Sequence, residues 1–188
     1  MKKHILLLLL VSLLLSLTAQ PSSADELPSF LGALPLCIPE RIVIDSLSID
    51  QPIDPCDDND IINPSSWWDV IWWTGGGCPS STPQNSENLT TYLFGHASNN
   101  LSRKVVFDDL KLMEPGDAIT IVTDIGDFDY KVEEVFILEK SAFLEDERVT
   151  LNREGRLLLV SCWTKEKYNR RAAKHNIVVV ANLESFKS

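Results

Sequence analysis

Two side chains with nucleophilic or acid-base chemistry stand at the ends of predicted strands. Cys162 follows the apolar run Leu157–Val160 and Ser161, and His96 follows the run Thr90–Gly95. Four consecutive aliphatic residues predict a strand buried on both faces, and a β-branched and aromatic run predicts a second strand. A strand end fixes the backbone while its side chain opens into a cleft, which suits a nucleophile. A core cysteine and a histidine that only completes a hydrogen-bond network are the alternative interpretations.

Basic residues before the last predicted strand could complete a set for acyl transfer. Arg170 and Arg171 precede the strand predicted from Asn176 to Leu183. A thiol attacks a carbonyl when a histidine handles protons, and an arginine can hold the oxyanion that forms. Cysteine, histidine and arginine are therefore together sufficient for this chemistry. The alternative interpretation is that the basic residues only form a solvated loop.

The surrounding elements predict a mostly β fold. Two short strands are expected between Arg41 and Ile53, and a tight turn at Glu114–Asp117 leads into a strand over Ala118–Thr123. A hairpin turn then leads into a strand over Asp129–Glu139, and residues 141–149 are expected to be a short acidic helix or loop. About eight strands with short helical pieces, and no regular strand-helix alternation, predict a barrel or a sandwich.

A cluster of aromatic residues precedes a long polar loop. Four of the five tryptophans fall within Trp67–Trp73, which can indicate core packing, a carbohydrate platform or the wall of a peptide cleft. We expect at least two of them to pack in the core. The polar loop from Thr74 to Asn88 is long for a compact domain, which indicates a lid or a flap pinned by a disulfide.

Composition limits the size of the protein and the class of its partners. The chain has 188 residues, with 17 Lys plus Arg against 27 Asp plus Glu, for a formal net charge of -10. One domain with a proper core is expected at this length. An acidic surface repels phosphate backbones, so nucleic acid is excluded as an expected partner.

The first residues resemble an export signal. Met1-Lys2-Lys3 is basic, an apolar block of about 13 residues follows, and small residues come after it. Residues 1–24 are therefore predicted to be a signal peptide or an N-terminal membrane anchor, residues 25–40 a proline-containing linker, and residues 41–188 the domain. The protein is expected outside the cytoplasm, either secreted or attached to the membrane through this segment if it is not cleaved.

Three cysteines precede the candidate nucleophile. Outside the cell cysteines tend to pair, so one disulfide among Cys37, Cys56 and Cys78 is expected, with the pairing left open and Cys162 free. No two cysteines have the close spacing of a zinc site. No cofactor is expected. Calcium at the acidic segment 57–60 is the weaker alternative to a solvated loop, because the alternate ligand spacing of a calcium loop is absent.

Four segments in order resemble the sortase family. Tyr92–His96 is similar to the sortase strand that ends in Gly-His, and Leu158–Cys162 is similar to the strand that ends in the cysteine. Between them, the segments Val106–Leu110 and Pro115–Asp117 resemble the Phe-x-x-Leu and Gly-Asp pattern, and Ile177–Ala181 resembles the last strand. The resemblance spans about residues 42–183.

This resemblance implies an eight-stranded β-barrel with short helices and a bacterial cell-surface cysteine transpeptidase. In such an enzyme Cys162 would attack the Thr carbonyl of a Leu-Pro-x-Thr-Gly-like sorting signal on a secreted protein, and His96 would protonate the departing amine. An arginine would hold the oxyanion or position the peptide. An amine of a peptidoglycan precursor or a pilin would then resolve the thioester.

The arginine is where the sequence departs from the family pattern. Lys174 and His175 occupy the places where the family arginine is expected, and the arginines stand earlier. We assign the role to Arg171, with Arg170 and Lys174 as alternatives. A lysine lacks the planar fork that binds an oxyanion through two hydrogen bonds.

Two other functions fit parts of the sequence. A barrel without the family arginine could be a non-catalytic binding or pilus-assembly module. Another extracellular cysteine acyltransferase, such as an L,D-transpeptidase, is less consistent with the sequence, because those enzymes carry a Ser-x-Gly-Cys segment with a histidine close before it.

Overall fold

The computed structural model describes residues 31–57, 64, 66, 68–97, 105–163 and 173–188. Within them, eight strands form a closed barrel in the order β1-β2-β3-β4-β7-β8-β6-β5. The strands are β1 (Pro39–Ile44), β2 (Ile49–Cys56), β3 (Val70–Trp73), β4 (Thr91–Gly95), β5 (Ala118–Thr123), β6 (Gly126–Glu139), β7 (Arg156–Trp163) and β8 (His175–Lys187). The prediction of a mostly β, eight-stranded barrel is confirmed.

Helical structure in the described residues is limited to single turns. The helix α1 (Glu147–Thr150) begins where the Asp146 side chain accepts a hydrogen bond from the Arg148 N–H, and short 3₁₀ turns include Leu110–Leu112 and Lys140–Ala142. The capping carboxylate satisfies an N–H that has no partner within the helix. The acidic segment predicted at residues 141–149 therefore contains both a 3₁₀ end and a short helix.

Side chains of the barrel strands divide between two apolar clusters according to strand parity. Leu157 and Leu159 of β7 lie in the large cluster, to which all eight strands contribute and which fills the barrel interior. Leu158 and Val160 belong to a second cluster on the outer face, beside Val149 of α1. Successive side chains of a strand point to opposite faces, so β7 is buried on both sides, as its aliphatic run predicts.

Most neighbouring strands pair antiparallel, but β2 runs parallel to β3 and β4 runs parallel to β7. The β4–β7 register pairs Thr91 with Leu157 and Phe94 with Val160. Strand β7 also pairs antiparallel with β8, and β8 pairs antiparallel with β6. The long strand β8, which continues beyond its predicted end at Leu183 to Lys187, thus joins the β4–β7 pair to the β5–β6 hairpin.

The tryptophan cluster contributes less to the core than expected. Trp72 packs against the barrel core, whereas Trp68 is 52% exposed and Trp73 stacks edge-on against Tyr92 at 5.6 Å between ring centroids. Trp67 lies outside the described residues. Of the three described members, only Trp72 belongs to the core, because Trp73 has the opposite strand parity and faces the cleft described below.

Candidate active site

The parallel pairing of β4 and β7 brings the two candidate catalytic residues to one place. His96 and Cys162 each come two residues after the Phe94–Val160 pair. His96 directly follows β4, and Cys162 lies on β7. Both have the parity of the outer face, and both line a cleft of about 740 Å³. Since parallel strands end at the same edge of a sheet, the shared direction and register place these two side chains next to each other.

The strands are held together one residue before each candidate. Ser161 is buried and its hydroxyl donates to the Gly95 carbonyl at 2.7 Å. On the other side the Phe107 ring lies so close to Gly95 that a Cβ there would come within 2.5 Å of it, and the Phe107 N–H donates to the His96 carbonyl at 2.9 Å. Glycine is required by this close approach, and the three contacts fix the backbone at the site.

The imidazole of His96 is oriented by a backbone carbonyl. Its Nε2 lies 2.9 Å from the carbonyl oxygen of Pro64. A carbonyl oxygen can only accept, so this hydrogen bond places a proton on Nε2. The ring is half-buried at the edge of the cleft.

The thiol of Cys162 contacts a lysine that the sequence analysis did not select. Lys140, the first residue after β6, places its Nζ 3.2 Å from the Cys162 Sγ. Its backbone N–H donates to the Lys174 carbonyl at 2.9 Å, which fixes the start of the turn Lys140–Ala142. The lysine therefore brings a positive charge next to the candidate nucleophile. Asn176 lies opposite Cys162 in the β7–β8 ladder and also lines the cleft.

Of the three cations considered in the sequence analysis, only Lys174 lies within the described residues. Arg170 and Arg171 lie outside the described residues, so the assignment of Arg171 stays a prediction. Lys174 is exposed and does not line the cleft. His175 packs edge-on against Trp163, with 5.8 Å between ring centroids. Among the described residues, Lys140 is the cationic side chain at the cleft.

The cleft floor is the outer face of the β4–β7 pair. It is formed by Tyr92, Phe94 and Val160. The Tyr92 hydroxyl donates to the Val149 carbonyl at 2.8 Å and thereby attaches α1 to the floor. Burial raises the pKa of Tyr92, so the phenol remains a donor at neutral pH.

A buried arginine supports the same helix from below. Arg156 is 3% exposed, and its guanidinium donates to the carbonyls of Arg148 and Leu151, at the two ends of α1. Burial lowers the pKa of Arg156 from its usual value. Because backbone carbonyls satisfy the guanidinium, it serves to position α1 as a cleft wall.

The two walls of the cleft differ in character. One carries Phe143, Leu144 and Val149, and Leu144 is 80% exposed. The other includes Trp73, Gly75, Gly76, Asn88 and Thr90. A cleft that combines apolar side chains with convergent polar groups is typical of a binding site.

The loop 74–90 is held at both ends of its length. Near its start the Gly77 N–H donates to the Thr90 carbonyl at 2.7 Å. Near its end the Asn152 side chain accepts from the Leu89 N–H and donates to the Glu87 carbonyl. Hydrogen bonds therefore attach this loop to the domain, and the disulfide that was expected to pin it is not formed in the structure.

The expected disulfide is not formed in the structure. Cys37, Cys56, Cys78 and Cys162 are all thiols, although Cys37 and Cys78 are in contact.

Within the described ranges no group of three or more His, Cys, Asp or Glu side chains is arranged to hold a metal ion. Most of the acidic segment 57–60, where calcium was considered, lies outside them. Nor does the described part of the chain contain a helix long and apolar enough to cross a membrane.

Comparisons with known proteins agree with this geometry. The family model described as Sortase domain matches residues 42–184. No curated protein matches the chain. Among solved structures, sortase C1 from Streptococcus suis is similar with a TM-score of 0.59 and 18% identity, covering 80% of this chain and 74% of that chain.

Two further structures show the same fold. Sortase C-1 from Actinomyces oris has a TM-score of 0.56 and 22% identity, over 78% of this chain and 73% of its own. Sortase C from Streptococcus pneumoniae has a TM-score of 0.58 and 17% identity, over 92% of this chain and 79% of its own. At these identities the likeness concerns the fold.

Proposed function

The chain belongs to the sortase family, and on that premise we propose that it cleaves a C-terminal sorting signal of secreted proteins and joins them to an amine. Sortases are in general cysteine transpeptidases of the cell surface. The proposed signal is of the Leu-Pro-x-Thr-Gly kind. The proposed intermediate is a thioester on Cys162.

One observation carries the proposal. His96 directly follows β4 and Cys162 lies near the end of the adjacent parallel strand β7, in matching register, and both line one cleft. Nucleophilic catalysis requires an acid-base group close to the nucleophile on a rigid support. The contacts around Gly95 and Ser161 supply that support.

The proposed reaction has two acyl-transfer steps. The Cys162 thiolate attacks the Thr carbonyl of the signal, the peptide C–N bond breaks, and His96 donates a proton to the departing amine. An acceptor amine then attacks the thioester, the C–S bond breaks and a new amide forms, while the sulfur leaves as a thiolate. The proton lost by the acceptor amine returns to His96.

We assign the two cationic roles to different residues. Lys140, at 3.2 Å from Sγ, stabilises the thiolate before attack and again when the thioester is resolved. Arg171 holds the oxyanion of the tetrahedral intermediate, a role for which its planar set of donors is suited. With this division, one cation can act on the sulfur and another on the oxyanion, although the first residue of β8 is not an arginine.

The cleft supports the proposed substrate class. An apolar wall of Phe143, Leu144 and Val149 fits the Leu-Pro part of the signal, and the glycine-containing wall leaves space for an extended backbone. The acceptor we propose is an amine of a peptidoglycan precursor or a pilin. Sortase C of Streptococcus pneumoniae, which shares the fold, has pilin substrate specificity.

The location follows from the family and from the N-terminal sequence. We propose that the protein acts at the bacterial cell surface and that residues 1–24 direct it there, either as a cleaved signal or as a membrane anchor.

The test is capture of the thioester. A Leu-Pro-x-Thr-Gly peptide is incubated with the exported protein without an acceptor amine, and the acylated residue is identified by peptide mass mapping. Acylation of Cys162 is expected, and Cys162→Ala should abolish both acylation and peptide cleavage. Cys56→Ala is the matched control, because Cys56 is a half-buried thiol at the end of β2 that does not line the cleft.

Cleavage by Cys162→Ala at the rate of the natural protein would refute the proposal. Saturable binding of the peptide to both proteins, with no thioester on either, would instead support the non-catalytic binding module.

A further inference from the structure

Two cysteines that the proposed reaction does not use lie together at one end of the barrel. Cys37 precedes β1 and Cys78 lies in the loop after β3, and the Cys37 N–H points at the Cys78 Sγ at 3.3 Å. Both residues are nearly inaccessible, 3% and 5% exposed, and both belong to the barrel core. Residues 41 positions apart in sequence are thus in direct contact.

Ser80 joins the same two segments. Its hydroxyl donates to the Pro35 carbonyl at 2.7 Å and accepts from the Cys37 N–H at 3.0 Å. It also lies 3.5 Å from the Cys78 Sγ. These hydrogen bonds hold the segment before β1 against the loop 74–90 without a covalent link. The backbones of Cys37 and Cys78 are therefore already positioned relative to each other.

As thiols, the two side chains are coupled to each other. A hydrogen bond from the Cys37 thiol lowers the pKa of Cys78 despite burial, with Ser80 and Ser81 adding to the effect. The same bond, together with burial, raises the pKa of Cys37. The coupling shows that the two sulfurs are within reach of each other, which is the geometric requirement for a disulfide.

We propose that Cys37 and Cys78 form a disulfide in the exported protein, and that this bond fastens the loop 74–90 to the segment before β1. The oxidant is the disulfide of an extracytoplasmic thiol-disulfide oxidoreductase. The Cys78 thiolate attacks one oxidant sulfur and displaces the other as a thiolate. Cys37 then loses its proton and attacks the Cys78 sulfur, so the protein gains a disulfide and the oxidant becomes a dithiol.

The burial of both sulfurs determines when the bond forms and how long it lasts. An oxidoreductase cannot reach either sulfur in the folded barrel, so oxidation takes place during folding, before the loop closes over the segment. Afterwards the folded protein shields the bond from small reductants. The other two cysteines are separate: Cys162 faces the cleft beside Lys140, and Cys56 ends β2.

The bond has a consequence for the cleft. Gly75 and Gly76, which line one cleft wall, come shortly before Cys78 in the same loop. Fastening Cys78 therefore limits the movement of that wall. This consequence rests on the proposed function, whereas the existence of the bond does not.

The first experiment needs no activity. The full chain is exported to an oxidising compartment, unfolded without reductant, alkylated and mapped by mass spectrometry. A Cys37–Cys78 linked peptide with Cys56 and Cys162 alkylated is the expected result. Alkylation of all four cysteines, or a link that involves Cys56 or Cys162, would overturn the proposal even if the thioester assay succeeds.

The second experiment measures what the bond does. Dithiothreitol should reduce the bond only after unfolding, and reduction should lower the melting temperature by about 5–15 °C. The double variant C37S/C78S should show the lower melting temperature with no further loss on reduction, and C56S should behave as the natural protein does. An equal melting temperature for the oxidised protein and for protein that was unfolded and refolded in dithiothreitol would show that the sulfurs contribute only packing.

Discussion

At the scale of single residues, the site differs from a simple Cys-His-Arg set by the position of Lys140. This lysine contacts the sulfur from the end of β6, whereas Lys174, which the sequence analysis considered as an alternative to Arg171, is exposed and does not line the cleft. A positive charge close to the sulfur stabilises negative charge there, and its effect decreases with distance and solvent exposure.

Lys140→Met keeps most of the side-chain length and removes the charge. We expect the rate of Cys162 alkylation at pH 7 to fall by up to about 5-fold, the change that corresponds to about 1 kcal/mol for a solvent-exposed charge contact. Peptide turnover should fall in parallel, and Lys140→Arg should restore much of both. Lys174→Met is the control and should alter neither rate. Equal alkylation rates for Lys140→Met and the natural protein would show that the contact has no chemical role.

At the scale of elements, polar side chains link the strands β5, β6 and β8 of the barrel. Asp129 on β6 accepts from Thr120 on β5 at 2.8 Å and from Ser185 on β8 at 3.0 Å, and it pairs with Lys187 at 2.6 Å. Partial burial disfavours the ionised carboxyl, but these donors outweigh it and lower the pKa of Asp129. Three strands therefore share one carboxylate.

Asp129→Asn should make stability less dependent on pH. A carboxyl whose pKa is lower in the folded state stabilises the fold above its unfolded value, about 3.9, and the contribution is lost as pH falls through the folded value. We expect the variant to lose about 1 kcal/mol of unfolding free energy at pH 7, and this difference to shrink below about pH 4. Urea unfolding at several pH values measures it. Asp54→Asn, at an exposed position on β2, is the control; a pH-independent difference would contradict the argument.

At the scale of the whole molecule, one sheet serves two purposes. Its inner face fills the barrel with Leu159 and its neighbours, and its outer face forms the floor of the cleft. Side chains alternate between the two faces along β4 and β7. The inner residues pack in the core and contribute to stability, whereas the outer residues face the cleft and contribute to recognition.

Substitutions on the two faces should therefore separate in their effects. Leu159→Ala removes a fully buried interior side chain and should cost about 2–5 kcal/mol of unfolding free energy, with the KM of the remaining folded protein unchanged. Phe143→Ala, on the cleft wall, should raise the KM for the sorting peptide several-fold with a smaller loss of stability. Denaturant unfolding and peptide kinetics, measured on both variants, test this expected separation. A raised KM for Leu159→Ala alone would contradict this division.

The sequence by itself determined the features that depend on local pattern. The aliphatic run before Cys162 and the β-branched run before His96 predicted two strands that end on reactive residues, and the structure has both as β7 and β4. The approximate number of strands and the mostly β class also followed from residues close together in the chain, and the sortase resemblance followed from four such segments in order. Alternation and turn residues act over a few positions, so a single sequence reports them directly.

Only the tertiary structure decided which distant segments meet. The parallel register of β4 and β7, the contact of Lys140 with Cys162 and the contact of Cys37 with Cys78 all join residues that are far apart in the chain. Lys140 was recognisable as the residue after a strand, but its role depends on β6 pairing with β8, which itself pairs with β7. Such pairings depend on how the whole sheet closes and buries its core, which no local pattern encodes.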